Sequence, residues 1–194
     1  IERLIKPHLL ALGGYAARTS PDTLNGKVEV AAKDIIKLDA NENPYGCSPR
    51  VNRALAAYSD FNVYPDTDQQ EIKKLLAGYA GIGAEHIVAG SGSNQLIDLI
   101  FRLFVGKGDE VVNCAPTFDL YRFDTEMCGG KLVEVVRDQD FAVDAAAVKA
   151  AVTPQTRLIV LANPNNPTGT LTPQKDILPL LETGVPVLVD EAYY

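Results

Sequence analysis

A chain of 194 residues is long enough to bury one full core and predicts one domain or slightly more. Hydrophobic residues at 46% and charged residues at 22% exclude a disordered tail or a fibrous repeat. A formal net charge of -7 and a pI near 4.8 repel a polyanion over most of the surface, which argues against nucleic-acid binding and requires a local site for any anionic ligand. Cys47, Cys114 and Cys128 are odd in number, far apart and without CxxC spacing, so neither a disulfide framework nor a metal site is expected, and a cytoplasmic protein is. No apolar run approaches the roughly 20 residues of a membrane span, and no basic-then-apolar leader precedes the first elements. The chain starts at Ile1 without a methionine and stops at Tyr194 just after a strand-like run, so neither end looks natural.

In chain order, Ile1 to Leu12 predicts a helix, and Gly13 to Asp34 has little periodicity and several turn formers. Residues 1–34 are therefore expected to be an arm. From Ile35 onward, short β-branched runs alternate with amphipathic stretches, the pattern of βαβ units that build a three-layer α/β domain around a mostly parallel sheet. Helices are expected at Pro49 to Tyr58 and Gln69 to Tyr79, then a strand at His86 to Ala89. The clearest helix follows Gly92, where Leu96, Ile97, Ile100, Phe101 and Phe104 share one face and Asp98 and Arg102 the other. Strands at Glu110 to Cys114, Lys131 to Val135, Arg157 to Ala162 and Val185 to Val189 alternate with helices at Phe118 to Cys128, Asp144 to Ala150 and Gln174 to Glu182.

Three segments could carry chemistry. Gly90-Ser91-Gly92-Ser93-Asn94 joins a strand to the best helix, so it is either an anion site of backbone N–H groups or a glycine turn with an N-cap serine. It is not a nucleotide signature: Gln95 stands where a GxGxxG needs glycine, and no GxxxxGK[ST] occurs. Asn163-Pro164-Asn165-Asn166-Pro167-Thr168-Gly169 is either a plain turn or a rigid loop aiming amides at a ligand, at the strand end where open α/β sheets bind. Asp190 and Glu191 end the last strand. A carboxylate there needs a cationic partner, either magnesium in a nucleotide hydrolase or a protonated heterocyclic nitrogen.

Together with Leu38-Asp39-Ala40-Asn41-Glu42-Asn43-Pro44-Tyr45-Gly46 and Tyr64-Pro65-Asp66, these segments and Asp190-Glu191-Ala192-Tyr193 closely resemble the histidinol-phosphate aminotransferases in order and spacing. The resemblance implies the incomplete large domain of a pyridoxal-phosphate-dependent transferase of aspartate-aminotransferase-like fold. Residues 1–34 are then an N-terminal arm and small-domain segment, and 35–194 the first part of the cofactor-binding large domain. It implies pyridoxal 5'-phosphate as cofactor, with its phosphate on the backbone N–H groups of Ser93 and Asn94 and Phe118 stacked on the ring. Asn166 and Tyr193 then bond the phenolic oxygen, and Asp190 pairs with the pyridine nitrogen so that the ring accepts electrons. Tyr64 is implied to reach the neighbouring subunit's site, making a homodimer with shared active sites, and Tyr15 and Asn43 to face the substrate.

The implied reaction moves an amino group between histidinol phosphate and 2-oxoglutarate in histidine biosynthesis, with no metal. The family's Schiff-base lysine and phosphate-binding arginines come later than Tyr194. Lys175 precedes Asp190 on a surface helix and is not assigned that role, so the chain alone is expected to be inactive. Within the fold the alternatives are an aromatic-amino-acid aminotransferase or a phosphothreonine decarboxylase. Outside it stand the magnesium-dependent nucleotide hydrolase and a non-catalytic relic. His8 and His86 receive no catalytic role, and Lys73-Lys74 reads as a solvated helix face.

Overall fold

The computed structural model describes residues 2–13, 31 and 34–194. Contacts divide the chain into two units, Ile1–Tyr15 with Ile87–Tyr194, and Ala16–His86. The second unit contains α2 (Pro49–Ala57) and α3 (Gln70–Ala80). Ser48 caps α2, its hydroxyl accepting from Arg50 N at 3.3 Å, and Pro49 sits at the first turn, where its missing N–H costs nothing. Asp66 accepts from Asp68 N at 3.0 Å and Gln70 N at 2.9 Å, and these backbone bonds hold its carboxyl below the usual carboxylate range. Gly81, at φ +70°, ends α3 in the left-handed conformation that glycine adopts freely.

The first unit opens with a correction. Ile1 to Leu12 does not form one helix: a single 3₁₀ turn, Glu2–Leu4, is followed by α1 (Pro7–Leu10). Pro7 has no N–H to give and its ring clashes with the preceding turn, so it can begin a helix but not continue one. His8 Nε2 donates to the Met127 carbonyl at 3.2 Å, which ties this segment down.

After α4 (Ser93–Phe104), a turn through Gly106 and Gly108 feeds β1 (Glu110–Ala115). Then come α5 (Leu120–Cys128), β2 (Lys131–Val136), α6 (Ala145–Ala151), β3 (Thr156–Ala162), α7 (Gln174–Leu181) and β4 (Val187–Asp190). The four strands form one parallel sheet in the order β2-β1-β3-β4, with Val112 opposite Val133 and Ile159, and Ala162 opposite Asp190.

Side chains alternate across a strand, so β1 and β3 feed two cores. Val111, Leu158 and Val160 pack with Ile97 and Phe101 of α4 and Tyr121 of α5. Val112, Ile159 and Leu161 face the other way, onto Val148 of α6 and Leu180 of α7. Helices thus cover both faces, giving the three layers expected. Most elements fall within two residues of their expected limits. Beyond Ile1 to Leu12, the exception is His86 to Ala89, which forms no strand: Ala84–His86 is a 3₁₀ turn, and no strand among the described residues pairs with the segment after it. A strand without a neighbour has no ladder to bond, and Val88 remains 71% exposed.

Candidate active site

The strand order creates a crevice. From β1 the chain passes to β2 on one side, then returns across β1 to β3 and β4 on the other. Connections therefore diverge at the carboxyl ends of β1 and β3, the switch point where open α/β sheets take ligands. The loops leaving β1, β3 and β4 all emerge at this edge. Because α4 leads into the amino end of β1, its own N-terminus comes back to the same edge.

A pocket of about 80 Å³ opens there. Ser93 and Asn94 line it from the start of α4, Phe118 from the loop after β1, Asn166 from the loop after β3, and Asp190 and Tyr193 from the end of β4. The six residues named from the sequence for the cofactor, apart from Tyr64, are thus brought together around one space. Tyr64 lies in the other unit, 96% exposed. Asn43 is also there, folded onto its own loop: its Oδ1 accepts from Tyr45 N at 3.0 Å and its Nδ2 donates to the Gly46 carbonyl at 3.2 Å. Tyr15 lies outside the described residues. No lysine lines the pocket, and Lys175 sits on α7.

The start of α4 resolves the two readings of its glycine turn in one respect. The cap residue is Gly92, at φ +82°, and not a serine. No side chain caps the helix, so the first-turn N–H groups remain available at the pocket, together with the positive end of the helix dipole. Gln95 Oε1 instead accepts from Ser91 N at 2.6 Å, bracing the turn. A Cβ on Gly90 would stand 2.9 Å from both Gln95 Oε1 and Leu96 Cδ2, so a larger residue there would have to displace the ends of those two side chains.

At the end of β4, Asp190 Oδ2 accepts from the Tyr121 hydroxyl at 2.7 Å and Oδ1 from Ala192 N at 3.1 Å. Tyr121 is fully buried. Burial, and then the bond to Asp190, push its phenol far above the ordinary tyrosine value, so it stays a proton-holding donor. Its ring meets Phe118 edge-on, with centroids 5.7 Å apart and planes at 88°. Sequence reasoning missed Tyr121. No local pattern marks it, because the carboxylate it bonds lies 69 residues further along the chain.

The asparagine loop is braced from within by two of its amides, while the third lines the pocket. Asn163 pairs with the Thr172 backbone in both directions, at 3.1 and 2.8 Å. Asn165, 2% exposed, turns inward. Its Oδ1 accepts from Thr117 Oγ1 at 2.8 Å and Arg137 Nη2 at 3.1 Å, while its Nδ2 donates to the Pro116 carbonyl at 3.1 Å and Thr168 Oγ1 at 2.8 Å. Only Asn166 of the three lines the pocket. Arg137 is 5% exposed and also donates to the carbonyls of Cys114 and Phe141, both at 3.1 Å. It, too, escaped the sequence reading. His8, bound to Met127, and His86, 3.5 Å from Glu85, lie outside the pocket.

Comparison with known proteins agrees with this arrangement. The model of the family "Aminotransferase class I and II" matches residues 33–194. A histidinol-phosphate aminotransferase from Dehalococcoides mccartyi is 47% identical over 194 residues, covering 100% of this chain and 53% of that protein. One from Roseiflexus castenholzii is 41% identical over 199 residues, covering 100% of this chain and 54% of that protein. The chain thus spans about half the length of the curated relatives it matches. The crystal structure of histidinol-phosphate aminotransferase from Sinorhizobium meliloti, in complex with pyridoxal-5'-phosphate, superposes with a TM-score of 0.83 at 27% identity, over 98% of this chain and 51% of that one. A switch-point pocket of this make-up and a family match along five-sixths of its length lead to one conclusion: the chain belongs to the class I and II aminotransferases.

Proposed function

We propose that the full-length protein carrying this chain is a pyridoxal 5'-phosphate-dependent aminotransferase that exchanges an amino group between histidinol phosphate and 2-oxoglutarate. The observation that carries this reading is the shared pocket of Asp190 and the uncapped start of α4. Asp190 offers a carboxylate to a cationic ring nitrogen, the start of α4 offers N–H groups to a phosphate, and Phe118 supplies a flat apolar ring. Those donors fit the cofactor's two charged ends and its planar middle. The relatives' names and the cofactor in the Sinorhizobium meliloti structure support the choice of substrate and cofactor.

When bound, the cofactor supplies a ring that accepts the electron pair left when a proton departs from the substrate's Cα. The residues of this chain hold and orient that ring. Asp190 keeps the ring nitrogen protonated, and Tyr121 fixes the carboxylate that does so. Asn166 and Tyr193 hold the phenolic oxygen, Ser93 and Asn94 the phosphate, and Phe118 excludes water from one ring face. Tyr15 and Asn43 serve the substrate side, and Tyr64 reaches the site of a second copy in a homodimer. The protein works in the cytoplasm. Among the described residues, no helix is long and apolar enough to cross a membrane.

Family membership sets aside the nucleotide hydrolase. Purified full-length protein is expected to be yellow, to release glutamate's amino group to the histidinol-phosphate keto partner, and to lose colour in Asp190→Ala. Turnover of phenylalanine without histidinol phosphate would move it to the aromatic aminotransferases, and absence of any visible band would make it a relic.

A further inference from the structure

Two residues that line the pocket are each next in sequence to a residue that does not line it. Phe118 directly follows Thr117, and Asn166 directly follows Asn165. Thr117 and Asn165 are bonded to each other, and Arg137, at the end of β2, closes the group by donating to Asn165 as well. All four hydrogen-bonding positions of the Asn165 amide are filled, by three segments of chain. Arg137 makes no bond to a carboxylate among its contacts; every acceptor is a neutral oxygen. A buried guanidinium bonded only to neutral acceptors recovers its lost hydration poorly, so this is a costly way merely to fill space. Its planar fork does, however, span three acceptors at fixed angles, which neither a lysine nor an apolar side chain can do.

We infer that Arg137, Asn165 and Thr117 form a positioning network that sets the separation of Phe118 from Asn166 and so the width of the cofactor slot. None of the three is a catalytic residue. Arg137 locks the end of β2 to the Asn163–Gly169 loop, and Thr117 locks the loop after β1 to the same amide. The next residue along each loop faces the pocket with little freedom. The inference rests on the cofactor occupying this pocket.

The test uses the full-length protein with pyridoxal 5'-phosphate. Thr117→Val removes one hydrogen bond at nearly constant shape, and is expected to weaken cofactor affinity in equilibrium dialysis by about fivefold. Arg137→Met removes three and is expected to weaken it by about tenfold or more. Both should alter the visible circular dichroism of the bound cofactor, which reports ring orientation, and Thr117→Ser should restore both readouts. Should Arg137→Met fail to fold, Thr117→Val carries the test. Variants that lose thermal stability yet keep the parent affinity and dichroism overturn the network's role while Asp190→Ala still abolishes the band. If Asp190→Ala binds and reads like the parent, the cofactor is not in this pocket, and both readings fall together.

Discussion

Tyr121 and Asp124 sit three residues apart on α5 and pose opposite problems for a buried oxygen. The Tyr121 hydroxyl has a carboxylate partner at 2.7 Å, and a bond to a charged group contributes about 1.5 to 3 kcal/mol. Tyr121→Phe keeps the ring against Phe118 and strips only that donor, so urea unfolding is expected to register a loss of about 1 to 3 kcal/mol. Asp124 is 4% exposed, and its Oδ2 has no hydrogen-bond partner among the described residues. Burial, with Asp98 adding to it, pushes its carboxyl up to about 6, while Arg102, bound to Asp98 at 2.8 Å, pulls it part of the way down. The folded protein therefore holds a proton that the unfolded chain releases near the ordinary value of 3.8. Between those limits the native state binds more protons than the unfolded one, so stability falls as pH rises from about 4 to about 6 and stays lower above. Asp124→Asn should flatten that limb and raise stability at pH 8 by on the order of 2 kcal/mol, with thermal melts across pH as the check.

At the level of elements, α4 illustrates both what periodicity reveals and what it hides. The spacing of Leu96, Ile97, Ile100 and Phe101 fixed its length and its buried face; Ile97 and Phe101 are indeed in the core. Phe104, grouped with them, is 39% exposed, because the helix ends there. Its start is decided by Gly92, whose φ of +82° suits glycine and strains any other residue, although nothing lies within 4 Å of a built Cβ. Gly92→Ala thus meets a conformational penalty, not a clash, expected at about 1 to 3 kcal/mol in denaturant unfolding, with weaker cofactor binding as the N–H groups tilt. Short β-branched runs also made β1, β3 and β4 legible, and it was the resemblance to the aminotransferases that gathered Ser93, Asn94, Phe118, Asn166 and Asp190 around one cofactor. Tyr121 and Arg137 were not legible. Their partners lie 69 and 28 residues away, and no local pattern encodes a hydrogen bond across that distance. The segment His86 to Ala89 failed for the related reason that a strand is a property of two segments, and sequence displays one.

For the molecule as a whole, apolar residues outside the two cores carry a prediction. Neither α2 nor α3 buries any residue, and Leu55, Leu75 and Tyr79 are 63%, 69% and 87% exposed. Tyr64 and Tyr45, at 96% and 95%, add to that surface. Isolated exposed leucines are ordinary, but this many large apolar groups on so short a stretch make a surface that binds an apolar dye wherever nothing covers it. A 194-residue chain expressed alone should bind 1-anilinonaphthalene-8-sulfonate strongly, and the full-length protein should not; equal dye fluorescence from both would refute it.

The sheet has a second rim. Every pocket-lining loop leaves by the carboxyl ends of the strands, whereas the glycine turn from Gly106 to Gly108, braced by the Asp109 carboxylate accepting from Gly106 N at 2.9 Å, hangs from the amino ends. An affinity handle or a surface tether grafted into that turn would sit at the rim away from the pocket, so the protein could be immobilised by its back with the pocket's mouth left facing solution.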